Sequence, residues 1–208
     1  MQRLRPLAER CVRAITRRGR AGEGEGFPVA IVLPLADGAA HEATKLQLEI
    51  LRKYGSNPGL EAYPHITLKL GFPVVDFAPF EEFMRRLVAD VAPLEISLRD
   101  FGFFDEGILF LEVEPNPEIE KLRRRILEEL SNHHGIQPQE IEGSQYRFHV
   151  TLAYGLSSVD FAELRKSFSR RHVQLDFQAN HIDLLCHTGR QWVTYQRTRF
   201  QGARLPVS

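Results

Sequence analysis

The chain has 208 residues, enough for one domain or for one domain built from two similar halves. Its 27 basic and 27 acidic residues cancel, so the molecule as a whole carries no field that would draw in a polyanion. Two distant cysteines, Cys11 and Cys186, argue against a disulfide scaffold or a paired-cysteine zinc site and for a reducing compartment.

Residues 1–26 stand apart. The stretch MQRLRPLAERCVRAITRRGR holds seven arginines against one acid, Glu9, and spaces Leu4, Leu7, Cys11 and Ile15 as a helix would. AGEGEG follows as a linker. A solvated helix, an RNA-phosphate contact, an anionic-membrane contact and an organelle transit peptide all fit this composition. No apolar run reaches the length of a membrane span, and the start lacks a secretory core, so a cytoplasmic monomer is expected.

A single domain is expected over 27–208, starting with the strand FPVAIVLPLA at Phe27. A helix follows at 41–55, closed by Gly55, and then the strand PHITLKLGF at 64–72. The helix at 76–92 gathers Phe80, Phe83, Met84, Leu87 and Val91 on one face. Strands at 94–104 and 107–115 precede a helix at 116–135, with Pro117 in its first turn and Gly135 at its end. A polar loop leads to the strand RFHVTLAYG at 147–155 and a helix at 160–172. Residues 177–201 read as a hairpin turning at Thr188, Gly189 and Arg190.

One stretch occurs twice. HITLKLGFPVVDFA (65–78) and HVTLAYGLSSVDFA (149–162) agree at eight of fourteen positions without a gap. The surroundings repeat too, giving a β-α-β-α-β unit in two copies. Two such halves pack about a pseudo-two-fold axis, so His65 and Thr67 are expected to meet His149 and Thr151 in a shared cleft. Strand alternation adds Tyr63 and Lys69 to the polar face of the first strand and Arg147 to that of the second. Neither face carries a carboxylate.

Hydroxyls, an ammonium and a guanidinium suit an anionic phosphate oxygen. Two imidazoles supply a general base and a general acid near neutral pH. A phosphodiester fits this set, with no metal or cofactor required.

The pair His65-Ile66-Thr67-Leu68 and His149-Val150-Thr151-Leu152 resembles the two-histidine (2H) phosphoesterase superfamily, in the branch named for 2'-5' RNA ligases. The resemblance runs from Phe27 to Gln201 and includes a closing hairpin with an aromatic, Tyr195, in its last strand. It implies a bilobal α+β fold, with antiparallel sheets lining a central cleft and helices outside. It also implies metal-independent opening of a 2',3'-cyclic phosphate on RNA or a nucleotide, with His65 and His149 as acid and base and Thr67 and Thr151 on the phosphate. End joining through a 2'-5' bond and a non-catalytic RNA- or nucleotide-binding module are the alternatives. Tyr63, Phe72, Phe104 and Tyr154 are candidates for stacking on a base. His133 and His134 read as surface residues. His181, Asp183 and His187 share a strand face, but two-residue steps fit metal chelation poorly.

Overall fold

The computed structural model describes residues 26–105, 107–143 and 145–202. The basic segment at 1–26 therefore lies outside the described residues, Gly26 excepted.

The order of elements is β1 (Phe27–Pro34), α1 (Asp37–Tyr54), β2 (His65–Val74), α2 (Ala78–Leu87), β3 (Leu94–Phe104), β4 (Ile108–Val113), α3 (Pro117–His134), β5 (His149–Ala153), α4 (Ser158–Phe168), β6 (Gln174–Ala179), β7 (His181–His187) and β8 (Trp192–Arg199). Local chemistry sets several ends. Asn116 caps α3 by accepting from the N–H groups of Glu118 and Ile119, and Pro117 at the first turn has no N–H to satisfy. Gly135 ends the helix at φ 67°, a left-handed conformation that glycine adopts freely. Ser157 caps α4 by accepting from Asp160 N. That places the start of α4 at Ser158, two residues ahead of the expected Asp160. β6 was not anticipated as a strand of its own; only Asn180 separates it from β7.

The eight strands form one antiparallel sheet in the order β6-β3-β4-β5-β2-β1-β7-β8. Two four-stranded halves meet at β5 and β2 through one recorded pair, Ile66 with Val150. The bilobal α+β architecture thus consists of two half-sheets continuous at their seam. The repeats also exchange strands. β3 follows the first repeat's helix α2, yet pairs with β4 and β6 in the other half. β7 pairs with β1.

The four α-helices among the described residues cover one face. Ile31, Leu33, Ile66, Leu68, Val150 and Leu152 turn toward it and join Ala43, Ile50, Phe83, Leu87, Ile126 and Leu164 in one core. On the opposite face of β1 and β7 a smaller cluster forms from Ala30, Val32 and Leu185, with Tyr63 and Trp192 against it. His134 belongs to the packing as well. Its ring stacks 4.8 Å from Phe80 and meets Phe83 at 5.3 Å, so it is not a free surface residue.

Candidate active site

The helix-free face holds a cleft of about 370 Å³ along the seam. Ile66 and Val150 point to the helices, so their neighbours point to the cleft. Antiparallel pairing about that couple sets His65 across from Thr151 and Thr67 across from His149. All four line the cleft, as do Tyr63 and Arg147.

Both imidazoles are held the same way. His65 Nδ1 lies 2.7 Å from the carbonyl of Tyr63, and His149 Nδ1 lies 2.8 Å from the carbonyl of Arg147. A carbonyl only accepts, so Nδ1 carries the proton in each ring. Nε2 is left for the cleft in both.

The surroundings then diverge. Phe110 and Phe104 pack on His149 at 5.2 and 5.1 Å. Phe110 reaches that position because its ring lies over Gly102, where a Cβ would come within 2.1 Å of it. Burial pushes His149 down to about 4, and the charges of His65 and Arg147 act in the same direction. His65 is lowered by burial too, but the Tyr63 carbonyl and the negative charge of Asp183 oppose that shift. His65 is thus the imidazole of the pair with a carboxylate behind it. Asp183 is fully buried and is held by Arg197 through two hydrogen bonds of 2.9 and 2.8 Å and by the hydroxyl of Tyr63. Burial and that carboxylate push the Tyr63 phenol strongly upward.

Arg147 reaches the cleft, but Glu112 on β4 takes one of its N–H groups. Its guanidinium lies 5.1 Å from the Phe110 ring. Carboxylates absent from the two motif strands therefore arrive from β4 and β7.

Lys69 does not reach the cleft. Strand alternation put it beside Thr67, but β2 bulges against β1. Val32 pairs with Thr67 and the next residue, Ile31, with Lys69, so one residue of β1 spans two of β2. Ile31 faces the helices, and Lys69 faces them with it, 1% exposed and bonded to Glu142. A second irregularity follows between Val29 and Ile31, and Leu70 and Gly71 line the cleft instead.

Of the proposed stacking aromatics, Tyr63, Phe104 and Tyr154 line the cleft and Phe72 is buried in the core. Burial pushes the Tyr154 phenol up to about 12. The aromatic that β8 brings to the cleft is Trp192. Tyr195 stacks on Phe77 at 4.2 Å and donates to Glu81, away from it. Sequence reasoning missed Trp192 and Tyr146, and weighed Asp183 only as part of a metal patch with His181 and His187. Tyr146 sits in an irregular loop with no periodic signal. Asp183 carried one, a lone acid in the apolar run of β7, but its partners are Arg197 and Tyr63. Among the described residues no group of three or more His, Cys, Asp or Glu is placed to hold a metal ion. No described helix is long and apolar enough to cross a membrane.

The model of the 2'-5' RNA ligase superfamily matches residues 35–191. The chain belongs to that family. A protein named as a phosphoesterase in Geobacillus sp. strain WCH70 is 26% identical over 140 residues, spanning 64% of this chain and 76% of its own. TT0787 of Thermus thermophilus superposes with a TM-score of 0.59 at 18% identity, over 84% of this chain and 98% of that one. Escherichia coli LigT, crystallised with 3'-AMP, superposes at 0.55 with 15% identity, over 85% and 99%. The fold is thus that of these solved structures.

Proposed function

We propose that this cleft hydrolyses a 2',3'-cyclic phosphate, on an RNA end or a small nucleotide, by acid-base catalysis between His149 and His65. The observation that carries the reading is the shared Nδ1 lock. Two imidazoles present Nε2 to one cleft, each beside a threonine hydroxyl of the other strand.

The environments divide the roles. His149, held neutral, takes the proton of a water through Nε2. The water oxygen bonds to phosphorus, and the bond to one ribose oxygen breaks. His65, which has the Asp183 carboxylate behind it, gives its Nε2 proton to that leaving oxygen, and a phosphomonoester results. Each such group contributes about 100- to 10,000-fold. Thr67 and Thr151 donate to the non-bridging oxygens, whose charge grows in the transition state. Tyr63, Tyr154, Trp192 and Phe104 offer faces for bases on either side. That LigT crystallised with 3'-AMP supports a nucleotide as occupant. The family's name favours a second reading, end joining through a 2'-5' bond, which the same groups perform in reverse.

Turnover of a 2',3'-cyclic nucleotide at neutral pH in EDTA tests the proposal. Loss in both His65→Ala and His149→Ala supports it. Full activity in either variant sinks the acid-base assignment, abolition by EDTA sinks the metal-free route, and phosphate binding without turnover leaves a binding module.

A further inference from the structure

The segment between α3 and β5 holds a short 3-10 helix, Glu140–Glu142, and brings Ile141, Gln145, Tyr146 and Arg147 to one wall of the cleft. Glu142 holds it. This carboxylate is 2% exposed and faces inward, away from the wall it supports. Its Oε2 accepts from Lys69 Nζ at 2.7 Å and from the N–H of Gln139 at 2.8 Å, and its Oε1 accepts from the N–H of Leu70 at 2.7 Å. One side chain therefore ties β2 to the loop at two points, Lys69 and Leu70, and braces the loop itself at Gln139.

A second layer completes the tie. Arg123 of α3 donates to the Glu142 carbonyl at 2.6 Å and lays its guanidinium 3.8 Å from the centre of the Tyr146 ring. Gln139 Nε2 donates to the carbonyl of Gly71 at 2.9 Å. The Tyr146 hydroxyl donates to the carbonyl of Thr67 at 2.8 Å. The β2 residues gripped in this way are Thr67, Leu70 and Gly71, all of which line the cleft.

A buried ion pair is a poor way to gain stability alone, since an apolar pair of the same volume often does as well. It does fix a geometry, because each bond has a direction. We infer that Glu142 is a positioning residue that clamps the wall formed by residues 139–143 and 145–147 onto the β2 bulge and so sets the grip of the cleft on the nucleoside beside the phosphate. It acts through Tyr146, Leu70 and Gly71 and touches no reacting atom. The inference rests on the proposed cyclic-phosphate reading.

Full-length protein carrying Glu142→Gln or Arg123→Lys is compared with the unsubstituted chain in two measurements, kinetics on a 2',3'-cyclic nucleotide and amide hydrogen exchange. Glu142→Gln leaves one acceptor for three donors, and Arg123→Lys keeps the charge but removes the stack on Tyr146. For Glu142→Gln the expected result is a KM raised about tenfold with kcat held within about threefold, the pattern of lost ground-state binding. Exchange accelerates only in 139–143, in 145–147 and at Leu70. Arg123→Lys is expected to raise KM about threefold, again with kcat held. A KM left unchanged with the loss confined to kcat, or exchange accelerated equally across β7, overturns the inference. If Glu142→Gln does not fold, Arg123→Lys decides by the same criteria. If the unsubstituted chain does not turn over the cyclic nucleotide, the proposed activity falls. Exchange then decides the clamp alone, local acceleration upholding it and uniform acceleration refuting it.

Discussion

β2 and β5 carry the same motif and hold their histidines by the same bond, yet they serve the cleft differently. β5 is short and has an irregularity of its own against β4, and its histidine sits in an aromatic niche with Arg147 close by. β2 is twice as long, bulges after Thr67, and has a buried carboxylate stationed behind its histidine. Repetition supplied two equivalent sets of donors. The strands packed around them made the sets unequal, and a directional reaction needs that inequality, since one imidazole must take a proton while the other gives one.

The comparison is broken most directly at the histidines. His65→Ala and His149→Ala are each expected to lower turnover of a 2',3'-cyclic nucleotide by about 100- to 10,000-fold. The double variant should fall little further, because a relay of two loses most of its effect with either member. If the two losses simply multiply, the histidines do not act as one unit.

Thr67→Val and Thr151→Val keep the volume of the side chain and remove the hydroxyl. Each is expected to cost about 100-fold in kcat, at the lower end for a donor to a developing oxyanion. Steady-state kinetics read this, and an unchanged kcat in either variant removes that hydroxyl from the transition state.

Asp183→Asn sharpens the difference between the two histidines. The carboxylate holds His65 up, so its loss moves the His65 pKa downward. An acid works only when protonated. The alkaline limb of the pH-rate profile should therefore shift to lower pH, while the acid limb, set by His149, stays in place. A shift of the acid limb instead would reverse the roles.

The smallest effect is on stability. His149 falls from 6.5 to about 4 in the fold, so between those values the unfolded chain binds a proton that the folded chain refuses. Stability should then drop as the pH falls through this window. His149→Asn should flatten that part of the curve in urea unfolding. An identical slope in the variant would assign the acid sensitivity elsewhere.

Much of this is legible in the sequence alone. The apolar faces of the helices are, and so is the meeting of His65, Thr67, His149 and Thr151, because side-chain alternation is local and the repeat tells which two strands correspond. Arg147 and Tyr63 lie two residues from a histidine and share its face by the same rule. Lys69, two residues beyond Thr67, broke the rule. A bulge is set by the pairing with β1, and nothing in HITLKLGF itself records it. The partners of these groups were hidden for a related reason. Asp183 lies 120 residues beyond Tyr63 in the chain, and Glu142 lies 73 beyond Lys69. Contacts at that separation come from the strand order, in which β3 and β7 cross to the opposite halves. The sequence by itself thus determined which of the motif side chains meet in the cleft. Only the tertiary structure decided their inequality and the shape of the wall facing them, because buried charges and bulges take their positions from strands that are neighbours in space alone.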